Sequence, residues 1–301
     1  PQRMTLGELI AAGERRLQAA GVAFGHGTTN AFDEAVWLTL WSLGLPLDTP
    51  VRGPDSEQNR SVAPEDAERV ATLFEARITT RKPAAYLTHE AWLQGVSFYV
   101  DERVIVPRSL IAEVIADGSI DYWLHDTTQR VLDLCTGNGS LAIIAALTYP
   151  ETEVTGADLS PDALAVAAIN VERHTLQERI TLVESDGLRA PGVQARGPFD
   201  LILCNPPYVN AHSMATLPAE YQAEPVLALA GGADGMDFVR TLLLEAPAMM
   251  APGSVLVLEI GNERNYFEAA FPKLEVVWLE TSAGNDQVLL ITLEALLAHQ
   301  P

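Results

Sequence analysis

Cysteine is nearly absent from this chain of 301 residues, which contains only Cys135 and Cys204. Two cysteines allow one disulfide at most, so the sequence excludes a small secreted scaffold held together by disulfide bonds. The six histidines show no ligand spacing with one another or with the cysteines, and we therefore expect no metal centre. Low cysteine content is typical of a reducing compartment, and the sequence predicts a cytoplasmic protein.

Long apolar runs are missing as well. No stretch approaches the ~20 apolar residues that a transmembrane helix requires. The segment from Pro1 to Met4 has no basic region followed by an apolar stretch, so we expect no signal peptide. The sequence therefore predicts no association with a membrane.

Basic residues are scarce: 19 Lys and Arg stand against 40 Asp and Glu, for a net charge of −21. Nucleic-acid phosphates are bound by clusters of Lys and Arg, so we expect no direct recognition of nucleic acid. The same negative field would attract a basic protein. The alternative is that the acidity only keeps the protein soluble.

Helical periodicity dominates the first 80 residues. Leu6, Leu9, Ile10 and Leu17 repeat at helical spacing, a second helix follows Asp33 and Glu34, and a third starts at Pro64. The sequence predicts a small helical domain over residues 1–82. Short β-like runs from 84 to 106, around Gly95, predict a connecting β-hairpin over residues 83–107.

Strands and helices alternate after Arg130, which predicts a Rossmann-like, doubly wound α/β sheet within residues 108–301. The last two strands have only a short link and no helix between them, so they must form an antiparallel hairpin at the sheet edge. The expected strands are 131–134, 153–157, 180–183, 199–204, 254–260, 274–279 and 287–292, and the expected helices are 109–116, 141–147, 161–174 and 236–250.

Three features fall at the carboxyl ends of successive predicted strands, where open α/β sheets bind ligands. The first is a glycine loop, whose candidate cofactor-binding residues are Asp133, Cys135, Thr136, Gly137, Asn138 and Gly139. The second is Asp158, placed to accept the ribose hydroxyls of an adenosine, and the third is Asp186, placed to accept its amino group. The loop lacks the third glycine of the dinucleotide fingerprint, which argues against a dehydrogenase.

The segment Asn205-Pro206-Pro207-Tyr208 follows the fourth predicted strand of this sheet. It could hold a planar amide: Asn205 accepts one N–H, the Pro206 carbonyl accepts the other, and Tyr208 offers a flat face. We therefore assign Asn205, Pro206 and Tyr208 as catalytic and all four residues as substrate-binding, with Asn205 also beside the cofactor. The alternative is a rigid turn with no role in chemistry.

Together these motifs resemble the class I protein glutamine methyltransferases, the PrmB/HemK-like family, over nearly the whole chain. Further similar segments are Val106-Pro107-Arg108-Ser109, residues 158–164 and Gly284-Asn285-Asp286. Similarity to the PrmB branch comes from residues 25–30 (Gly-His-Gly-Thr-Thr-Asn), 33–35 (Asp-Glu-Ala) and 85–88 (Ala-Tyr-Leu-Thr), and from Trp92. Asn138 and Leu110 depart from the usual family pattern, but neither removes a group that the chemistry needs.

The resemblance implies a class I methyltransferase fold, S-adenosylmethionine as cofactor, and a glutamine of large-subunit ribosomal protein three as substrate. It implies that Asn205 and Pro206 hold this glutamine and that the helical domain helps to select the protein substrate. Four alternatives stay open at this stage. They are a peptide release factor glutamine methyltransferase, an adenine-amino DNA methyltransferase, a dehydrogenase, and a non-enzymatic ribosome-assembly factor that has kept the fold.

Overall fold

The computed structural model describes residues 2–300. The elements before the main sheet are β1 (Met4–Thr5), α1 (Leu6–Ala20), α2 (Ala31–Ser42), β2 (Ser61–Val62), α3 (Pro64–Thr80), α4 (Ala84–Thr88), β3 (Ala91–Leu93), β4 (Val96–Phe98) and α5 (Ile111–Ala116), with 3-10 turns at Glu57–Asn59 and Asp121–Trp123.

The remaining elements alternate between strand and helix for most of their length. They are β5 (Arg130–Leu134), α6 (Ser140–Thr148), β6 (Glu153–Asp158), α7 (Pro161–Arg173), β7 (Ile180–Glu184), α8 (Pro191–Gln194), β8 (Phe199–Cys204), α9 (Ala211–Ala215), α10 (Ala219–Gln222), α11 (Val226–Leu229), α12 (Asp237–Glu245), a 3-10 turn (Ala246–Met249), β9 (Met250–Glu259), α13 (Arg264–Ala270), β10 (Val277–Thr281), β11 (Gly284–Thr292) and α14 (Leu293–His299).

The chain forms two compact units, and the first of them is helical. It comprises the chain up to Ala91 together with the separate segment Pro218–Ala223. Local signals start its helices: Thr5 and Glu8 form a reciprocal capping box at α1, and the side chain of Asn30 caps α2. Helices α1, α2 and α3 pack around a core of Leu6, Leu17, Leu38, Val70, Phe74 and their neighbours.

The second unit contains a seven-stranded sheet in the order β10-β11-β9-β8-β5-β6-β7. Strands β9, β8, β5, β6 and β7 are parallel, whereas β11 runs antiparallel to β9 and β10 antiparallel to β11. The winding reverses between β5 and β8, the place where such sheets bind ligands. The predicted Rossmann-like sheet with an antiparallel terminal hairpin is therefore confirmed.

Both faces of this sheet are covered, which explains the nearly continuous apolar sequence of its central strands. On one face Val131, Leu203 and Val257 pack with residues of α5 and α6. On the other face Leu132 and Ile202 pack with residues of α12 and α14. The rigid sheet fixes the positions of the loops that leave its carboxyl ends.

Several predicted boundaries were wrong. Residues 84–88 form α4 rather than a β-like run, and 104–106 lie outside any strand, because the N–H of Val106 donates to the side chain of Glu224 instead of a neighbouring strand. The helix predicted over 236–250 ends at Glu245, two residues before Pro247, which has no backbone N–H to continue it. Helices α13 and α14 were missed.

Within residues 2–300, none of the helices has both the length and the apolar character that crossing a bilayer would require.

Candidate active site

A cavity of about 480 Å³ opens at the carboxyl ends of β5, β6 and β8, inside the second unit. Its volume lies within the ~300–1,000 Å³ typical of small-molecule sites. Of the predicted site residues, those that line the cavity are Cys135, Thr136, Gly137, Asn138, Asp158, Asp186, Asn205 and Pro207. Residues from four separately predicted features thus meet in one place.

Asp133 lies beneath the glycine loop instead of in the cavity wall. One carboxylate oxygen accepts the hydroxyl of Thr136 at 2.7 Å and the N–H of Ala142 at 3.0 Å. Burial raises the pKa of Asp133 to about 7, although both hydrogen bonds oppose the shift. Asp133 therefore shapes the loop between β5 and α6 from below.

The glycine loop needs its last glycine for backbone and packing reasons. Gly139 has a φ of 84°, and a Cβ there would come within 3.2 Å of the Cβ of Ala167. Gly137 also has a positive φ, of 54°, but a Cβ there would meet no atom within 4 Å. The backbone at Gly137 is therefore open to an approaching ligand.

Asp158 ends β6 and lines the cavity with a carboxylate that already orders the loops around it. Its Oδ2 accepts the N–H of Gly137 and its Oδ1 the N–H of Ser160, both at 2.9 Å. Ser160 caps α7 through its own hydroxyl. Burial raises the pKa of Asp158, while these N–H donors lower it.

Asp186 lies farther along the same rim, is largely exposed, and is 3.4 Å from Arg189.

At the centre of the sheet Cys135, which has a positive φ of 61°, lies beside Cys204. The hydrogen bond with the Cys204 thiol, together with burial, raises the pKa of Cys135. A raised thiol pKa suppresses the reactive thiolate, so the pair fits a packing role.

Two side-chain amides in the cavity wall have buried atoms that no other group satisfies within residues 2–300. They are the Nδ2 of Asn138 and the Oδ1 of Asn205. Buried polar groups in proteins are almost always hydrogen-bonded, so orphaned ones in a cavity indicate groups that a ligand completes. Asn138 offers a donor and Asn205 an acceptor, which fits a ligand with both polarities.

The turn that follows β8 is closely confined around Tyr208. A Cβ at Gly261 would lie 2.4 Å from the Tyr208 ring, and a Cβ at Gly235 would lie 2.1 Å from the Tyr208 carbonyl oxygen. The hydroxyl of Tyr208 donates to the carboxylate of Glu259 at 3.4 Å. The ring position is thus set from two sides.

Glu259 connects this turn to the Pro-Arg-Ser segment, a role that the sequence did not reveal. It is buried at the end of β9, and its Oε1 accepts the Ser109 hydroxyl at 2.9 Å and the N–H of Leu110 at 2.7 Å. Burial raises its pKa, and the hydrogen bond from Ser109 opposes the shift. In the sequence, the only indication of this role is that Glu259 lies near the end of the predicted strand 254–260, at the edge of the sheet where ligands bind.

Arg108 is held by Glu224, a second residue that sequence reasoning did not single out for this purpose. The guanidinium donates to both carboxylate oxygens, at 2.7 and 2.9 Å, and the N–H of Val106 donates to the same carboxylate at 2.8 Å. Arg108 therefore forms an ion pair with Glu224.

No group of three or more His, Cys, Asp or Glu side chains in residues 2–300 could hold a metal ion.

The Methyltransferase small domain family matches residues 120–223. A ribosomal protein uL3 glutamine methyltransferase from Bordetella pertussis is 53% identical over 97% of this chain and 96% of its own. The chain belongs to the family of ribosomal protein uL3 glutamine methyltransferases. Other members are those of Neisseria gonorrhoeae, 45% identical over 98% of this chain and 97% of its own, and Bradyrhizobium diazoefficiens, 43% identical over 96% and 90%.

Membership in this family, together with the sheet topology, identifies a class I methyltransferase. Among solved structures, the hMettl16 catalytic domain in complex with the MAT2A 3'UTR hairpin 1 has a TM-score of 0.50 and 15% identity, and covers 77% of this chain and 82% of its own. At that identity the similarity concerns the fold alone. The predicted enzyme class and family are therefore confirmed.

Proposed function

We propose that this chain transfers a methyl group from S-adenosylmethionine to the side-chain amide nitrogen of a glutamine in ribosomal protein uL3. The observation that carries the proposal is the side-chain Oδ1 of Asn205, a residue of the cavity lining: this oxygen is buried and has no hydrogen-bond partner in residues 2–300. Such an acceptor suits a substrate that brings N–H groups, as a primary amide does. The names of the relatives support the choice of uL3 and of glutamine.

The residues that line the cavity offer groups suited to the proposed cofactor. The Asp158 carboxylate can accept ribose hydroxyls and Asp186 can accept the adenine amino group, while the open backbone at Gly137 allows close approach. Thr136, Asn138 and Asn205 contribute polar atoms to the same cavity. When bound, S-adenosylmethionine supplies a methyl group on a positively charged sulfur.

Asn205 and Pro206 orient the substrate amide. An amide nitrogen is a poor nucleophile because its lone pair is delocalised into the carbonyl group. Holding one N–H on Asn205 and the other on the Pro206 carbonyl directs the remaining lone pair toward the methyl group, an alignment worth several kcal/mol. Pro206 and Pro207 stiffen the turn, and Tyr208 offers a face to the amide plane.

The proton requires no dedicated base. As the nitrogen gains the methyl group it becomes more acidic, and its proton leaves to the acceptor oxygens of Asn205 and Pro206 or to water. The carboxylates of Glu259 and Glu224 are engaged elsewhere, one with Ser109 and Leu110, the other with Arg108. In this proposal Glu259 holds Tyr208 and Glu224 holds Arg108, and neither carboxylate accepts the proton.

The partner proposed for this site is a basic ribosomal protein in the cytoplasm. The net charge of −21 favours a basic partner over nucleic acid. In this proposal the helical domain of residues 1–82 contributes to the selection of the protein substrate, with residues 83–107 as its connection to the methyltransferase domain of residues 108–301.

A methyl-transfer assay with radiolabelled S-adenosylmethionine tests this function. Ribosomal protein uL3, a peptide release factor and DNA are offered separately, and the labelled product is mapped by mass spectrometry. We expect label on a single glutamine of uL3. Label on the release factor alone would keep the amide chemistry and reject the substrate, whereas label on DNA alone would reject both.

A further inference from the structure

Three charged side chains meet in the interior of the first unit. The Arg77 guanidinium donates to Glu34 at 3.1 Å and to Glu220 at 2.9 Å, and all three residues are at most 3% exposed. Burial raises the pKa of Glu34, with Arg77 opposing the shift. A buried charge left without its partner is strongly unfavourable, so each of these groups depends on the others.

Backbone groups of the N-terminal region complete the cluster. The N–H of Ala23 donates to Glu220 at 3.1 Å, and Arg77 donates to the carbonyl of Ala23 at 2.7 Å. The hydroxyl of Thr28 donates to Glu34 at 3.2 Å. Glu220 is thus bound by one side chain and one backbone group of residues far away in the sequence.

The adjacent side chain, Tyr221, enters the same region. Its ring lies 4.2 Å from that of His26, centroid to centroid. Gly25 has a φ of 119°, and a Cβ there would come within 2.7 Å of the Tyr221 hydroxyl. Residue 25 must therefore be glycine if Tyr221 is to occupy this position.

These contacts give a purpose to a motif that the methyl-transfer chemistry does not use. Residues 25–30 and 33–35 supply Gly25, His26, Thr28 and Glu34, which with Arg77 surround two consecutive residues of the segment Pro218–Ala223. That segment lies in the connection between the amide-holding turn and α12. Directly after it, Glu224 binds Arg108, and residues 225–228 line the cavity.

We propose that Glu34, Arg77 and Glu220 are positioning residues that hold the segment 218–223 ready for the substrate protein. Through the continuous chain they also hold the part of the cavity wall formed by residues 225–228 and Ala230. This role rests on the proposed methylation of uL3. It predicts that loosening the segment weakens the productive binding of uL3 while the cofactor, held at the ends of β5 and β6, binds as before.

The test is Glu220→Gln, which keeps the size of the side chain and removes its charge. We expect KM for uL3 to rise about tenfold, with kcat reduced less and the calorimetric Kd for S-adenosylmethionine within twofold of the original. Hydrogen exchange of residues 218–230 should accelerate, whereas exchange in β5 and β6 should not. Glu75→Gln is the matched control, because it breaks the exposed Arg16–Glu75 ion pair of the same unit.

Val70→Ala separates positioning from general stability, because Val70 is buried in the core of the first unit and does not belong to the cluster. Two results would overturn the proposal. The first is that Val70→Ala, at the same loss of stability as Glu220→Gln, raises KM for uL3 by the same factor. The second is that Glu220→Gln changes neither the hydrogen exchange of residues 218–230 nor KM for uL3. If the protein without any substitution does not methylate uL3, the proposed substrate is wrong instead. In that case the exchange rates of residues 218–230 still decide whether Glu220 holds the segment.

Discussion

Asn205 is the residue on which the proposed chemistry depends most directly. Its Oδ1 is buried at the cavity without a partner in residues 2–300, so Asn205→Ala removes an acceptor without breaking a side-chain contact at that atom. We expect transfer to fall by at least ~100-fold, the cost of a misaligned reactant, with cofactor affinity nearly unchanged. Radiolabel transfer and calorimetry measure the two, and Asn285→Ala, at an exposed asparagine, is the control. Near-normal transfer would refute the amide-holding role.

Asp158 belongs to the cofactor side of the site. Asp158→Asn keeps its shape but removes the negative charge, and we expect the Kd for S-adenosylmethionine to rise tenfold or more, which is about the value of one charge-assisted hydrogen bond. Burial raises the pKa of Asp158. As the pH is lowered, the affinity for S-adenosylmethionine should therefore begin to fall at a higher pH than it would with an aspartate of ordinary pKa. Calorimetry across pH measures both effects, with exposed Asp162→Asn as the control. An unchanged Kd would exclude the ribose contact.

The raised pKa of Asp133 leads to a prediction about the pH dependence of stability. Its pKa of about 7 in the fold, against ~3.9 in the unfolded chain, means that the folded protein binds the extra proton between these values. This group therefore favours the fold below pH 4, and its contribution is lost as the pH rises to 7. Asp133→Asn should remove this loss, on the order of a few kcal/mol. Urea unfolding at pH 5 and pH 8 measures it; an equal pH dependence in both proteins would contradict it.

At the residue scale, eight of the twelve candidate residues line the cavity, because the candidates lie at or just after the ends of predicted strands. Asp158 and Asn205 are examples, since the carboxyl ends of parallel strands share one edge of the sheet. The partners of these residues were not predictable. Glu259 lies 150 residues from Ser109 along the chain, and no local pattern encodes such a pairing. The placement of Asp133 below the loop likewise needed three-dimensional packing.

At the scale of elements, the turn after β8 fits its neighbours so closely that glycine is required. Gly261→Ala would place a Cβ 2.4 Å from the Tyr208 ring, and we expect transfer to fall more than tenfold as the ring moves, with cofactor affinity preserved. Gly253→Ala has the same left-handed backbone, with a φ of 77° against 56°, but no atom within 4 Å of the new Cβ. It therefore shares the backbone strain of ~1–2 kcal/mol without the collision. Equal transfer rates in both variants would show that the collision is unimportant.

Elements with strong periodicity or clear caps were predictable. The strand 199–204 was placed at its observed bounds, and the helix predicted over 161–174 agrees with α7 to within one residue. The short helices α9, α10 and α11 were not predicted, because one turn of helix has too little periodicity to stand out and is stabilised by tertiary contacts. The sequence therefore predicted no helix between Tyr208 and Met236, although all three lie there.

For the whole molecule, the sequence indicated a helical N-terminal region followed by an α/β sheet, and both are present. It gave no sign that the segment 218–223 belongs to the first unit. The Arg77–Glu220 ion pair joins residues 143 positions apart, and an acidic residue in a polar connection gives no indication that it will be buried. A compact unit that includes a segment distant in sequence can be recognised only from contacts.

The net charge of −21 leads to a prediction about the whole molecule. If the field of the protein attracts basic uL3, raising the salt concentration from about 50 to about 300 mM should raise KM for uL3 several-fold, because mobile ions screen charges beyond roughly one Debye length. A short uncharged peptide containing the target glutamine has little charge to screen, so its KM should change little. Steady-state methyl transfer with both substrates at each salt concentration makes the comparison. Equal changes for uL3 and peptide would mean that salt acts on the site itself, and the long-range attraction would then play no part in substrate capture.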